Sequence, residues 1–155
     1  MKREFAFEKS INNSLDCLPM SVKRKLDRVA LKIGRDQWLG MKAEERKTIW
    51  NLPAETEQEC ETLILFIRKV LAGHRTEPRP LPEMAARLSE PPLEVPAAVI
   101  ESAKEAGFLL DQDKWSALDE EQRYALTKLL EPGKRNKRMR ALAEFFPVGL
   151  SSDPE

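Results

Sequence analysis

Residues 36–46 read DQWLGMKAEER, and residues 113–123 read DKWSALDEEQR. Asp, Trp, Glu and Arg recur in the same order and at the same intervals, 77 positions apart. The likeness extends outward on both sides. Pro19 matches Pro96, Val22 matches Val99, and Leu52 matches Leu129. Apolar positions agree in character where they differ in identity: Leu26 with Ala103, Ile33 with Leu110, Met41 with Leu118, and Ile49 with Leu126. Self-similarity at a fixed spacing marks a repeated supersecondary unit. Each unit reads as a helix begun by proline, a turn carrying tryptophan, and a second helix. A longer helical stretch follows each, over 56–72 and roughly 136–146. One such unit cannot bury its apolar faces alone, whereas two together can. The expected fold is all-α: a single-domain helical bundle of two similar helix–Trp turn–helix units, with possible pseudo-twofold symmetry.

The repeated residues are structural anchors on this reading. Trp38 and Trp115 are expected in the core, since large aromatic rings mostly supply buried area; a paired binding surface is the alternative. Asp36 and Asp113 are expected to cap their turns. Arg46 and Arg123 are expected to pair with those aspartates, or to lay their stems on the indole faces; gripping an anionic ligand is the other possibility.

Periodicity supplies the individual helices. Val22, Leu26, Val29, Ala30 and Ile33 form an apolar stripe of helical spacing, and the opposite face carries Lys23, Arg24, Lys25, Asp27 and Arg28. A second helix begins near Ala43 with Glu44 and Glu45 at its positive end. A third begins at Thr56, which with Glu59 spells the capping box T-x-x-E. Its body, ETLILFIRKVLAG, is apolar over more than one stripe and is expected to be central. Residues 1–16 read as an extended arm whose Phe5 and Phe7 dock on the core. Units at 17–73 and 95–147 flank a proline-rich linker at 74–94, in which only Glu83 to Leu88 has room for a turn or two of helix. A disordered tail is expected over 148–155.

Composition narrows the functional classes. The chain has 155 residues, 41% of them hydrophobic, enough to bury roughly 70% of the unfolded surface without metal or disulfide. Basic and acidic residues balance at 26 each, so no global charge draws it to nucleic acid or an anionic membrane. Cys17, Cys60 and His74 make no metal-ligand spacing, and no metal or cofactor is expected. The longest purely apolar run, Leu63 to Ile67, is far too short for a bilayer. With no leader sequence and two unpatterned cysteines, a cytoplasmic location is expected.

No glycine-rich phosphate loop, nucleophile elbow or Cys–His pair stands out, and the carboxylates gather at helix starts, where capping accounts for them. No catalytic residue is assigned. Two stretches remain. GKRNKRMR, residues 133–140, puts Lys134, Arg135, Lys137, Arg138 and Arg140 within seven positions. They stand at the start of the last helix, where the macrodipole disfavours positive charge. Docking of an acidic partner or of phosphate explains them, as does a solvated, frayed helix start. Nucleic acid is the weaker target, because one short cluster without aromatics is a small footprint. The second stretch is Cys17-Leu-Pro-Met20. The other unit has Glu94, Val95, Pro96 and Ala97 there, so Cys17 and Met20 are not demanded by the repeat. They are either core filler or contacts for a partner.

The run FAFEKSINNSLDCLPMSVKRKLD, followed by W..M..EER and W..L..EQRYALTKL..PG, resembles the bacterial nitrate reductase-associated protein family from Phe5 to about Phe146. Members usually end the first helix with glycine near position 30; this chain has Ala30, with Gly107 at the matching place in the second unit. The resemblance implies a small accessory protein of molybdenum-dependent assimilatory nitrate reductase, with no molybdenum cofactor of its own and no catalytic residue to carry over. Cys17, Pro19 and Met20 match the family's motif and become candidate partner contacts, alongside the basic cluster. The expected function is therefore a non-catalytic accessory or maturation factor whose partner is nitrate reductase. A nucleic-acid-binding or regulatory module using residues 134–140 is the alternative, and a small enzyme comes last. Oligomeric state is left open.

Overall fold

The structure, a computed structural model, describes residues 5–8, 17–81 and 89–147. Among them are eight α-helices and one two-stranded ribbon. In chain order these are α1 (Met20–Arg28), β1 (Leu31–Lys32), α2 (Arg35–Gly40), α3 (Ala43–Asn51), α4 (Glu57–Gly73), β2 (Arg79–Pro80), α5 (Ala97–Glu105), α6 (Gln112–Ala117), α7 (Glu120–Lys128) and α8 (Arg135–Phe145). The chain is all-α, as its periodicity predicts, apart from the ribbon. It divides into two compact units with the boundary at Ser89/Glu90, inside the stretch read as a linker. The short helix proposed at Glu83 to Leu88 and the tail at 148–155 lie outside the described residues.

The 77-residue offset is reproduced in the elements themselves. α5, α6 and α7 each begin and end 77 positions after α1, α2 and α3. Pro19 and Pro96 stand at equivalent N-caps, both in extended backbone. Proline is preset for a helix entry and gives up only an N–H that has no helical partner there.

Unit 1 closes on one apolar cluster of Val22, Leu26, Ile33, Trp38, Met41, Ile49, Trp50 and the inner face of α4. That face is a single stripe, Leu63, Ile67, Val70 and Leu71, whereas Leu65 is 69% exposed. Cys60 and Phe66 pack partly buried against the same cluster, while the outer surface of α4 meets solvent. The Thr56 cap is as predicted, with Glu59 N–H donating to Thr56 Oγ1 at 3.1 Å and Thr56 N–H donating to Glu59 Oε1 at 3.0 Å. Phe5 and Phe7 are buried and stacked with centroids 5.5 Å apart. The described part of their arm is a 3-10 turn at Ala6–Glu8 rather than an extended strand.

In unit 2, α8 packs on α7 and α5, and Val99, Ala103, Trp115, Tyr124, Leu126 and Leu142 are buried. Trp38 and Trp115 are both 0% exposed, so each indole is a core anchor. The Trp115 Nε1–H donates to the Pro92 carbonyl at 3.0 Å.

The aspartates of the opening motif do not cap. Asp36 and Asp113 are the second residues of their helices, two places past the caps, where a carboxylate interacts with the dipole but does not hold the N-cap position. In unit 2 the cap is Asp111, accepting from Lys114 N–H at 2.9 Å. In unit 1 the cap position is Gly34, whose own N–H donates to Gln37 Oε1 at 2.7 Å. Arg123 likewise departs from expectation: its Nη1 donates to the Leu118 carbonyl at the end of α6. A carbonyl left over at a helix end is a nearer acceptor than an aspartate at that helix's start.

The charged side of α1 does not simply face water: Arg24, Lys25 and Asp27 are buried.

Both units turn out of their first helix through a left-handed residue two places past its end. In unit 2 it is Gly107, at φ +97°. In unit 1 it is Ala30, at φ +57°, which carries the steric penalty of a Cβ in that region. Ala30→Gly is expected to stabilise the protein by about 0.5–1 kcal/mol, read from denaturant midpoints; an unchanged or lower midpoint would show that Ala30 is not strained. Trp115→Ala is expected to cost about 3–5 kcal/mol. A loss of ordinary surface size would place the ring outside the packed interior.

Candidate interaction sites

The first candidate surface is the Cys17–Met20 stretch. Pro19 and Met20 are buried, and Cys17 is half-buried. Pro19 has no side chain able to cap α1. The acceptor comes instead from upstream: Glu8 Oε2 receives the Met20 N–H at 2.8 Å. Glu8 is itself buried, held by its stacked neighbours Phe5 and Phe7. A carboxylate at this end of the helix also complements the dipole. The sequence reading missed Glu8. Its signal is an F-x-F-E motif upstream of a helix that opens on proline with no Ser, Thr, Asp or Asn to cap it.

The far end of α3 shows the same device with opposite charge. Ile49 and Trp50 would offer their carbonyls to the amides of residues 53 and 54 if the helix continued. Pro53 has no N–H. Lys25 fills that place: its ammonium is buried and donates to Ile49 O at 2.8 Å and also to Trp50 O. Cations are favoured at helix C-termini, and charge-assisted bonds are the strong kind. Two more α1 side chains act similarly. Arg24 Nε donates to Ser89 O at 2.8 Å, and Arg28 Nη1 to Ala54 O at 3.0 Å. Trp50 Nε1–H donates to Ser21 Oγ at 2.9 Å, so α1 grips α3 at several points.

The basic cluster is the second candidate surface, and the structure divides it. Arg138 turns inward and donates from Nη1 to Leu129 O at 2.8 Å, closing the carbonyl end of α7. Arg135 lies 3.3 Å from Glu105 Oε2 on α5. Lys134, Lys137 and Arg140 make no ion pair or side-chain hydrogen bond among the described residues. Spaced three apart, they follow one side of α8, with Arg140 exposed and the lysines half-exposed. Lys134 stands at the N-cap and supplies no side-chain acceptor.

The remaining reactive groups are tied up singly. His74 Nε2 sits 2.9 Å from Glu45 Oε1. That hydrogen bond, joined by the Lys42 N–H, holds the Glu45 carboxyl below its usual range. Burial pushes the Cys60 thiol up, away from thiolate reactivity. Its sulfur is 3.5 Å from the Ala54 carbonyl. Among the described residues no three His, Cys, Asp or Glu gather to hold a metal ion. No described helix is long and apolar enough to cross a membrane. An open groove of about 500 Å³ in unit 1 is lined by Leu31, Arg68, Ala72, Thr76, Glu77, Pro78 and Pro80.

The fold and these contacts define a small all-α protein of two Trp-anchored helical units whose helix ends are closed by side chains from elsewhere in the chain. The chain belongs to the conserved nitrate reductase-associated protein family, whose model matches residues 4–145. Nothing among the curated proteins compared with it matches, and nothing among the solved structures does.

Lys25→Met keeps the aliphatic stem but leaves the α3 carbonyl end without its donor. It is expected to cost about 3 kcal/mol in urea unfolding. Lys69→Met, on the exposed side of α4, should stay within about 0.5 kcal/mol. Equal effects from the two would show that the Lys25 ammonium holds nothing.

Proposed function

We propose that this protein is a non-catalytic accessory factor that docks on nitrate reductase in the cytoplasm and supports its assembly or activity during nitrate assimilation. The observation that carries the reading is the match to the nitrate reductase-associated family along nearly the whole chain. The contacts agree with a docking role. Glu8, Lys25 and Arg138 are committed to helix ends, and His74 and Glu45 to each other. What remains for a partner is surface charge.

The face offered is Lys134, Lys137 and Arg140 on α8, and its complement is an acidic surface of the reductase. Lys134 and Lys137, at the positive end of the helix, oppose the macrodipole, so they do not serve the stability of α8. Nucleic acid is the weaker reading of the same face. With Arg138 turned inward, the cations left over are few for a polymer that carries a negative charge on every nucleotide.

The test is affinity capture from cells growing on nitrate. The tagged wild-type chain should retain the reductase. Lys134→Glu, Lys137→Glu and Arg140→Glu together should lower capture at least tenfold without a lower melting temperature. Absence of the reductase from the wild-type eluate would sink the reading. Full capture by the triple variant would remove this face from it.

A further inference from the structure

Unit 1 holds a second concentration of positive charge, one that no run of sequence announces. Lys32 and Arg79 are register partners across the antiparallel β1–β2 ribbon, and both side chains are exposed. Like charges placed directly opposite destabilise a strand pair. Arg35, exposed as well, opens α2 three residues after Lys32. None of the three makes an ion pair or side-chain hydrogen bond among the described residues, and neither do the exposed Asp36 and Glu77 that adjoin them in sequence. The chain as a whole is neutral, so the cluster is no by-product of a basic protein.

The arrangement is held in place against its own repulsion. Leu81 N–H donates to Ala30 O at 2.9 Å, closing one end of the ribbon. Gln37 on α2 donates from Nε2 to Thr76 Oγ1 at 2.9 Å and to Glu77 O at 2.8 Å, fixing the approach to β2. Both approaches pass through left-handed non-glycine residues, Ala30 at φ +57° and Arg75 at φ +61°. Strain and opposed charge at one place are costs that a fold retains where the surrounding structure enforces them, and they cluster at functional sites.

We propose that Lys32 and Arg79, with Arg35 beside them, form a docking site for an acidic segment of a partner protein. Carboxylates placed between the two opposed cations turn a repulsive pair into a bridged one. Charge complementarity selects the occupant. Pro80 lacks an N–H, so a full added strand cannot pair along that edge, and recognition runs through side chains. Three cations without an exposed aromatic beside them are a poor match for a nucleic-acid strand, which also seeks stacking. That the segment belongs to the reductase rests on the function proposed above; the site and its chemistry do not.

The experiment uses the full chain and a fluorescein-labelled peptide of eight glutamates, titrated by anisotropy at about 50 mM salt, where screening is modest. Wild type should bind, and Lys32→Glu with Arg79→Gln should weaken binding at least tenfold. Lys134→Glu with Lys137→Glu is the comparison, and should weaken it less. Removing the opposed pair should leave the melting temperature equal or raised by about 1–4 °C, which separates lost docking from lost folding. Arg79→Ala alone is a second, milder variant and should give a partial loss. The inference is overturned by no binding to wild type, by ribbon variants within twofold of it, or by tighter binding of an eight-nucleotide oligothymidylate. Because the peptide assay does not contain the reductase, failure to capture that enzyme and failure of this site are separate results.

Discussion

A helix that stops leaves carbonyls without partners, and this fold depends on how that vacancy is filled where α3 stops at Asn51. Pro53 removes one of the amides that would follow. The replacement is an ammonium carried by Lys25, 24 residues earlier in the chain. Bringing it there requires α1 to lie against α3 with its most charged side facing inward. Arg24 and Arg28 then meet Ser89 O and Ala54 O, so one helix closes three stretches of backbone. The arrangement is self-consistent only if all these carbonyls are held together, which makes α1 a clamp and not merely an amphipathic layer.

The second unit meets the same requirement with different residues, and this explains why the repeat is so faithful in its element boundaries and so loose in its identities. At the position matching Pro53 stands Leu130, whose N–H donates to Thr127 O at 3.2 Å. At the position matching Lys25 stands the buried Ser102. No lysine is needed from α5. Arg138 on α8 caps Leu129 O instead. What the two units share is the geometry of the turn around a fully buried indole; what differs is which helix lends the cation. The same logic divides the family motif. Glu8 and Met20 form a capping contact, whereas in the second unit Gln112 ties down the segment ahead of the helix, accepting from Val95 N–H at 2.9 Å and donating to Leu93 O at 2.8 Å.

Much of the architecture was legible because periodicity and capping are local. The spacing of Val22, Leu26 and Val29, the T-x-x-E box at Thr56 and the 77-residue offset each need only near neighbours or a self-comparison. The errors have one physical source: a charged side chain looks solvated in sequence whatever it touches in space. Nothing in the sequence shows that Arg24 and Lys25 are buried, because their acceptors lie 65 and 24 residues away. Asp36 and Asp113 read as caps because a two-position shift in a helix start cannot be seen without backbone angles, and Asp111 shows where the cap falls. The basic cluster was visible as a run, but its division was not, since only the packing of α8 on α7 decides that Arg138 faces in. The ribbon was invisible, because two residues of strand carry no alternation.

The cations of this neutral chain therefore meet different fates. Some close helix ends, where the acceptor is a carbonyl and the gain is stability. Others sit in exposed ion pairs such as Arg135 with Glu105 or Lys104 with Glu101, worth little in water. A third set has no partner among the described residues and stands where the fold disfavours it: Lys134 and Lys137 at a helix start, Lys32 opposite Arg79 on a ribbon. Composition cannot separate these sets, and neither can net charge. The distinction is geometric: a cation that faces a carbonyl contributes to folding, while one that faces another cation costs folding energy. The third set is thus distinguished within the isolated chain by position alone: it adds repulsion where the other sets add contacts.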